Sequence, residues 1–90
     1  MQIIKKITII NRLGLHARAA SKLVGVATHF QSQIIINNQG QEADAKSIMS
    51  ILMLAAGKGT ELSITVTGDD AEEAYQAIAT LINNRFDEEE

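Results

Sequence analysis

Ninety residues, 46% of them apolar, suit one domain with a single core, and because Tyr75, Phe30 and Phe86 are the only aromatics that core must be Ile, Leu, Val and Ala. The lack of cysteine excludes disulfides and thiolate metal sites and fits a cytoplasmic chain, and the lysines inside "MQIIKKITII" argue against a signal peptide or a membrane span. The net charge of −3 conceals a split: through Thr60 the chain has seven basic and two acidic residues, and from Glu61 onward one basic and nine acidic.

Arg12, Arg18 and Lys22 cluster around His16, a pattern that attracts phosphate or an acidic protein surface. An ordinary solvated charge distribution stands as the alternative. Nucleic acid fits poorly, since a base-stacking platform needs aromatics that are missing.

"IIKKITII" (3–10) is β-branched, with Ile7 and Ile9 on one face and Lys6 and Thr8 on the other, and predicts a first strand. Asn11 to Gly14 breaks it. From Ala17 the apolar residues Ala20, Leu23, Val24, Ala27 and Phe30 keep helical spacing. "QIIIN" (33–37) predicts a second strand, Asn38-Gln39-Gly40 a turn, and "QEADA" (41–45) a weaker third strand. "SIMSILML" (47–54) reads as a short helix stopped by "AAGKG". "ELSITVT" (61–67) alternates, with Leu62, Ile64 and Val66 inward and Ser63, Thr65 and Thr67 outward. Gly68-Asp69-Asp70 opens a last helix, with Asp69 or Asp70 as N-cap, Glu72 and Glu73 favourable in the first turn, and Ala71, Ala74, Ile78, Leu81 and Ile82 as its buried stripe. The closing "DEEE" (87–90) is acidic beside a helix C-terminus and is expected to fray. The order β-α-β-β-α-β-α in a single domain, 1–90, implies an α+β fold with one largely antiparallel sheet, helices on one face and water on the other.

His16 falls at or just before the first helix, where the leading N–H groups have no intrahelical partner. The amides of Ala17 and Arg18, with the helix dipole, form an anion site beside its ring. The dipole disfavours a charged ring, a phosphoryl group on the ring meets oriented donors, and Arg18 adds a charge-assisted contact. Histidine is a competent covalent nucleophile, and phosphoryl transfer depends on positioning and charge stabilisation. A histidine that merely caps its helix is the equal alternative. A metal site finds no ligand set, since His29 is the only other histidine and reads as a surface residue at the far end of the helix. A serine hydrolase finds no nucleophile elbow.

Ser47 opens the second helix and is a good N-cap. A phosphate there would meet N-terminal amides beside Lys46 and add roughly −1.5 to −2 charge. That helix is apolar all round, so one face must be exposed. Ile48, Met49, Leu52 and Met53 are the expected face, suited to docking several partners.

"GLHARAASKLV", followed by "AKSIMSILML" and "AGKG", resembles the histidine-containing phosphocarrier (HPr/NPr) family of the bacterial phosphotransferase system, across essentially the whole chain. The resemblance implies an open-faced β-sandwich with three helices over a four-stranded antiparallel sheet. His16 matches the histidine phosphorylated on Nδ1, and Arg18 the arginine that contacts the phosphate. The implied donor is phosphorylated enzyme I, itself charged from phosphoenolpyruvate, and the implied acceptors are IIA-type proteins. Ser47 matches the regulatory serine modified by HPr kinase/phosphorylase. Ile48, Met49, Leu52 and Met53 match the face that meets partners, and Arg18, Lys22 and Lys46 are expected to join it in docking through their charge. No cofactor, metal, nucleic acid or membrane is implied, and a monomer is expected because a relay needs its docking face free. Ala19 stands where the family pattern has proline, which frees φ and adds an N–H donor. A sugar-import carrier, a nitrogen-branch regulatory carrier, and a docking module switched through Ser47 without histidine chemistry are the readings in play. A small ligand-binding domain is the weakest.

Overall fold

The alternation in Glu61–Thr67 makes β4, and in the computed structural model, which describes residues 1–90, this strand lies inside the sheet. It pairs with β1 (Gln2–Thr8) on one side and β2 (Gln33–Asn38) on the other, and β3 (Gln41–Asp44) closes the far edge, giving the order β1-β4-β2-β3. All three pairings are antiparallel. Ile3 and Ile34 flank Val66, and Ile36 faces Ile64, so the inward rows are aliphatic from strand to strand. Ser63, Thr65 and Asn37 occupy the opposite face, which is left to water.

Three helices cover the inward face: α1 (Ala17–Ala27), α2 (Ile48–Met53) and α3 (Ala71–Asn83). α1 buries Ala19, Ala20, Leu23 and Ala27, and α3 buries Ala71, Ala74, Ile78, Ala79 and Ile82. Leu81, expected in that stripe, is only half-buried, and Ala79 takes the inward place. The α+β, open-faced arrangement expected from the sequence is the one observed.

α1 and α2 run antiparallel. The Lys46 ammonium, just before α2, donates to the Phe30 carbonyl just after α1, at 2.8 Å. Beyond the other end of α2, the Ala56 carbonyl accepts the Leu15 amide just before α1, at 2.8 Å.

Two features depend on partners distant in sequence. Asp70 sits at the N-cap of α3, but its carboxylate does not cap. It accepts the amides of Gln31 (2.8 Å) and Ser32 (2.9 Å) and the Ser32 hydroxyl, tying the loop before β2 to the start of α3. The Ser32 hydroxyl and then the Gln31 amide hold this carboxyl below its usual range. The acidic tail, expected to fray, lies against the loop before α1. Arg85, Phe86 and Asp87 form a left-handed turn with φ of 57°, 53° and 64°. Phe86 enters the core fully buried, and residues 88–90 fold back over the start of α1. The fraying rule weighs only the charge beside a helix end, whereas here Arg12 and Lys22 lie within ion-pair distance of Glu90 and Asp87.

Candidate functional site

The loop before α1 is held from both sides. Asn11 is fully buried and donates through Nδ2 to the Gly14 carbonyl, at 2.9 Å. Gly14 has φ of 67°, and a Cβ there would lie 2.5 Å from the Ala56 carbonyl oxygen and 2.8 Å from the Gly57 Cα. Only glycine permits both this backbone and this approach.

Delivered by that turn, His16 becomes the N-cap of α1 with extended backbone (φ −75°, ψ 178°). Its carbonyl accepts the Ala20 amide at 2.8 Å, and the amides of Ala17, Arg18 and Ala19 have no backbone acceptor. The ring makes no capping bond. The side chain is 28% exposed, and its Nε2 meets Glu88 Oε2. The other Glu88 oxygen accepts from Asn11 Nδ2 at 3.0 Å. The Asn11 bond first, with smaller contributions from His16 and Arg18, outweighs burial and holds the Glu88 carboxyl below its usual range.

The basic residues around His16 differ in freedom. Arg12 pairs through Nε with Glu90 at 2.9 Å. The Lys22 ammonium donates to the Phe86 carbonyl at 2.7 Å and lies 3.7 Å from Asp87. Arg18 is exposed and forms no ion pair. Together these residues, Leu13 and the tail line an open cleft of about 770 Å³. His29 is exposed at the other end of α1, donating through Nδ1 to the Gly25 carbonyl.

Ser47 is the N-cap of α2, its hydroxyl accepting the Ser50 amide at 3.4 Å. It lies toward the end of α1 opposite His16, and α1 is roughly 16 Å long at 1.5 Å per residue. Ile51 and Leu54 are buried, Met49 and Met53 are about two-thirds exposed, Ile48 is exposed and Leu52 is half-buried. The Lys46 ammonium is engaged at the end of α1, so it is less free than its sequence position suggests. Leu13, exposed beside His16, and Asn11 and Glu88 were not singled out from the sequence. The signal for Glu88 was the charge split itself: an acidic tail and a basic N-terminal half can satisfy each other.

A family model described as the PTS HPr component phosphorylation site matches residues 3–84. The chain is 54% identical over 86 residues to a phosphocarrier protein HPr of Pseudomonas aeruginosa, covering 94% of this chain and 96% of that one. With the phosphocarrier protein HPr of Cupriavidus necator it shares 51% identity over 83 residues, covering 92% and 93%. The crystal structure of HPr-C-His from Thermoanaerobacter tengcongensis superposes with a TM-score of 0.94 at 40% identity, covering 98% of this chain and 99% of that one.

Proposed function

The chain belongs to the HPr family of the bacterial phosphotransferase system, and from that premise we propose that His16 accepts a phosphoryl group on Nδ1 from phosphorylated enzyme I and passes it to IIA-type proteins. The observation that carries this reading is the start of α1, where the N-cap ring makes no cap and three amides are without backbone partners. Nδ1 attacks phosphorus in line, the N–P bond forms and the bond to the donor breaks. The charge on the phosphoryl oxygens is met by the amides of Ala17 and Arg18, the helix dipole and the unpaired Arg18 guanidinium. Ala19 leaves one more amide at the same helix end, where proline would have none.

Docking falls to the exposed Ile48, Met49 and Met53 with half-buried Leu52, alongside Arg18. Lys22 and Lys46 join once a partner's acidic groups compete for their ammonium groups. The antiparallel α1 and α2 run this face from Ser47 toward His16, so one partner can cover both. A monomer suits a face that must open and close to successive partners, and the cytoplasmic placement rests on the family alone.

Ser47 is a second, regulatory site in this reading. Its cap bond is long and its side chain half-exposed, so the hydroxyl is accessible to an HPr kinase/phosphorylase. Because Ser47 lies away from His16, its phosphate acts on docking rather than on chemistry. Ser47→Asp weakens enzyme I binding, read by titration; equal affinity removes the switch.

The test is intact-mass and acid-lability analysis after incubation with phosphoenolpyruvate and enzyme I. The expected result is one acid-labile phosphoryl adduct, absent from His16→Ala. No adduct from the folded protein, with enzyme I of either the sugar or the nitrogen branch, overturns the carrier reading; whichever enzyme I charges it faster assigns the branch.

A further inference from the structure

We infer that Glu88 is a positioning residue for His16: its carboxylate takes the Nε2–H and so holds the ring in the tautomer that leaves the Nδ1 lone pair free to attack phosphorus. The inference rests on the carrier reading above and adds a residue from the far end of the chain to it.

An ionised carboxylate has acceptors only, so a hydrogen bond between it and Nε2 places the proton on Nε2. In a neutral imidazole the other nitrogen then carries the lone pair. Glu88 is well placed for this. Its side chain is 14% exposed, and Asn11 Nδ2 binds the oxygen that His16 does not use. The same Asn11 nitrogen donates to the Gly14 carbonyl, so one buried amide fixes both the loop that delivers His16 and the carboxylate that orients its ring. The depressed Glu88 pKa keeps the carboxylate ionised.

The tail is built to deliver this group. Three successive non-glycine residues, Arg85 to Asp87, adopt positive φ, a conformation L-residues rarely take. It persists only where the surroundings over-determine it. Here they do, through fully buried Phe86, Lys22 on the Phe86 carbonyl, and Arg12 on Glu90.

The chemistry balances without a proton leaving the site. Nδ1–P forms as the donor's bond to phosphorus breaks, the proton stays on Nε2, and the ring, now substituted at both nitrogens, becomes positive. Glu88 faces that charge directly. Onward transfer reverses each step. Other charges bear on the ring: Arg12, Arg18 and Lys22 from the loop and α1, and Asp87, Glu89 and Glu90 from the tail.

The experiment uses the full chain with ¹⁵N-labelled histidine, as wild type, Glu88→Ala and Glu88→Gln. Ring ¹⁵N shifts report the tautomer without any donor present, and single-turnover uptake from phosphorylated enzyme I reports the rate. The wild-type neutral ring is expected as Nε2–H. Glu88→Ala loses that preference and slows saturated uptake about 10-fold, the scale of losing an orienting partner of a histidine, with little change in the enzyme I concentration for half-saturation. Glu88→Gln keeps an acceptor but no charge, and falls between. Because Glu88→Gln preserves shape, it carries the test should the alanine variant disturb the fold. A wild-type ring protonated on Nδ1, or an alanine variant with unchanged tautomer and rate, overturns the role of Glu88 while uptake on His16 leaves the carrier reading standing. Faster uptake by the alanine variant also overturns it, because Glu88 would then be an anion competing with phosphate. If no variant takes up phosphate, the carrier reading fails, and the tautomer alone then decides whether Glu88 orients the ring.

Discussion

α1 and α2 begin in opposite ways. At Ser47 the hydroxyl accepts the Ser50 amide, so α2 carries a side-chain cap of its own, with the Ile48 and Met49 amides left without backbone acceptors. At His16 the ring turns to Glu88 and the amides of Ala17, Arg18 and Ala19 are left without backbone partners. α3 begins in a third way, with an N-cap aspartate whose carboxylate is committed to another loop. A capped helix start stabilises the fold; an uncapped one beside an unpaired arginine is a place for an anion. The contrast also separates two uses of phosphate in the proposed function, with chemistry at the open start and docking control at the capped one.

The strongest way to break the contrast is at the turn that builds the open start. Gly14→Ala forces a Cβ into the Ala56 carbonyl and an alanine into positive φ. Overpacking and the left-handed penalty together suggest a loss of about 3 kcal/mol, measurable by urea denaturation. Full stability would mean that this close approach is not what fixes the loop. Ser47→Ala removes the side-chain cap of α2 and costs about 0.5–1 kcal/mol, the lower range because the bond is long. Uptake at His16 should be unchanged.

Asp70 sharpens the third case through pH. Its carboxyl is held below its usual range by Ser32 and Gln31, so its contribution is present above about pH 4, the unfolded carboxylate range, and is lost as pH falls through the lower folded value. Asp70→Asn should lower stability at neutral pH and flatten the acid limb of a stability–pH curve; an unchanged limb would show that other carboxylates dominate it. The smallest stability effect belongs to Met49→Glu. With Met49 two-thirds exposed, stability should shift by no more than about 0.5 kcal/mol while enzyme I binds more weakly by titration. A large loss of stability would place Met49 in the core.

The elements were legible because their periods are clean. "ELSITVT" could only be a one-sided strand, and Gly14 before His16 could only turn into a helix. In "SIMSILML" the pattern required an exposed face and the structure shows it, with Ile51 and Leu54 turned inward. Legibility ended where partners lie far apart in sequence. Asp70 is the N-cap its position announced, but its carboxylate serves Ser32, thirty-eight positions away. The left-handed turn at Arg85–Asp87 carries no glycine or asparagine to announce it, and Glu88 reaches a histidine seventy-two positions earlier. A local rule made the acidic tail fray; the basic loop it pairs with lies at the other end of the chain.

The most direct test of the central claim follows backbone amides in ¹H–¹⁵N spectra before and after phosphorylation by enzyme I and phosphoenolpyruvate. The largest shifts should fall on Ala17 and Arg18, with Met49 and Ser50 at the start of α2 nearly still. Ala17 and Arg18 unmoved in a fully phosphorylated protein, or shifts as large at α2, would contradict the claim that the open start of α1 is where this chain holds phosphate.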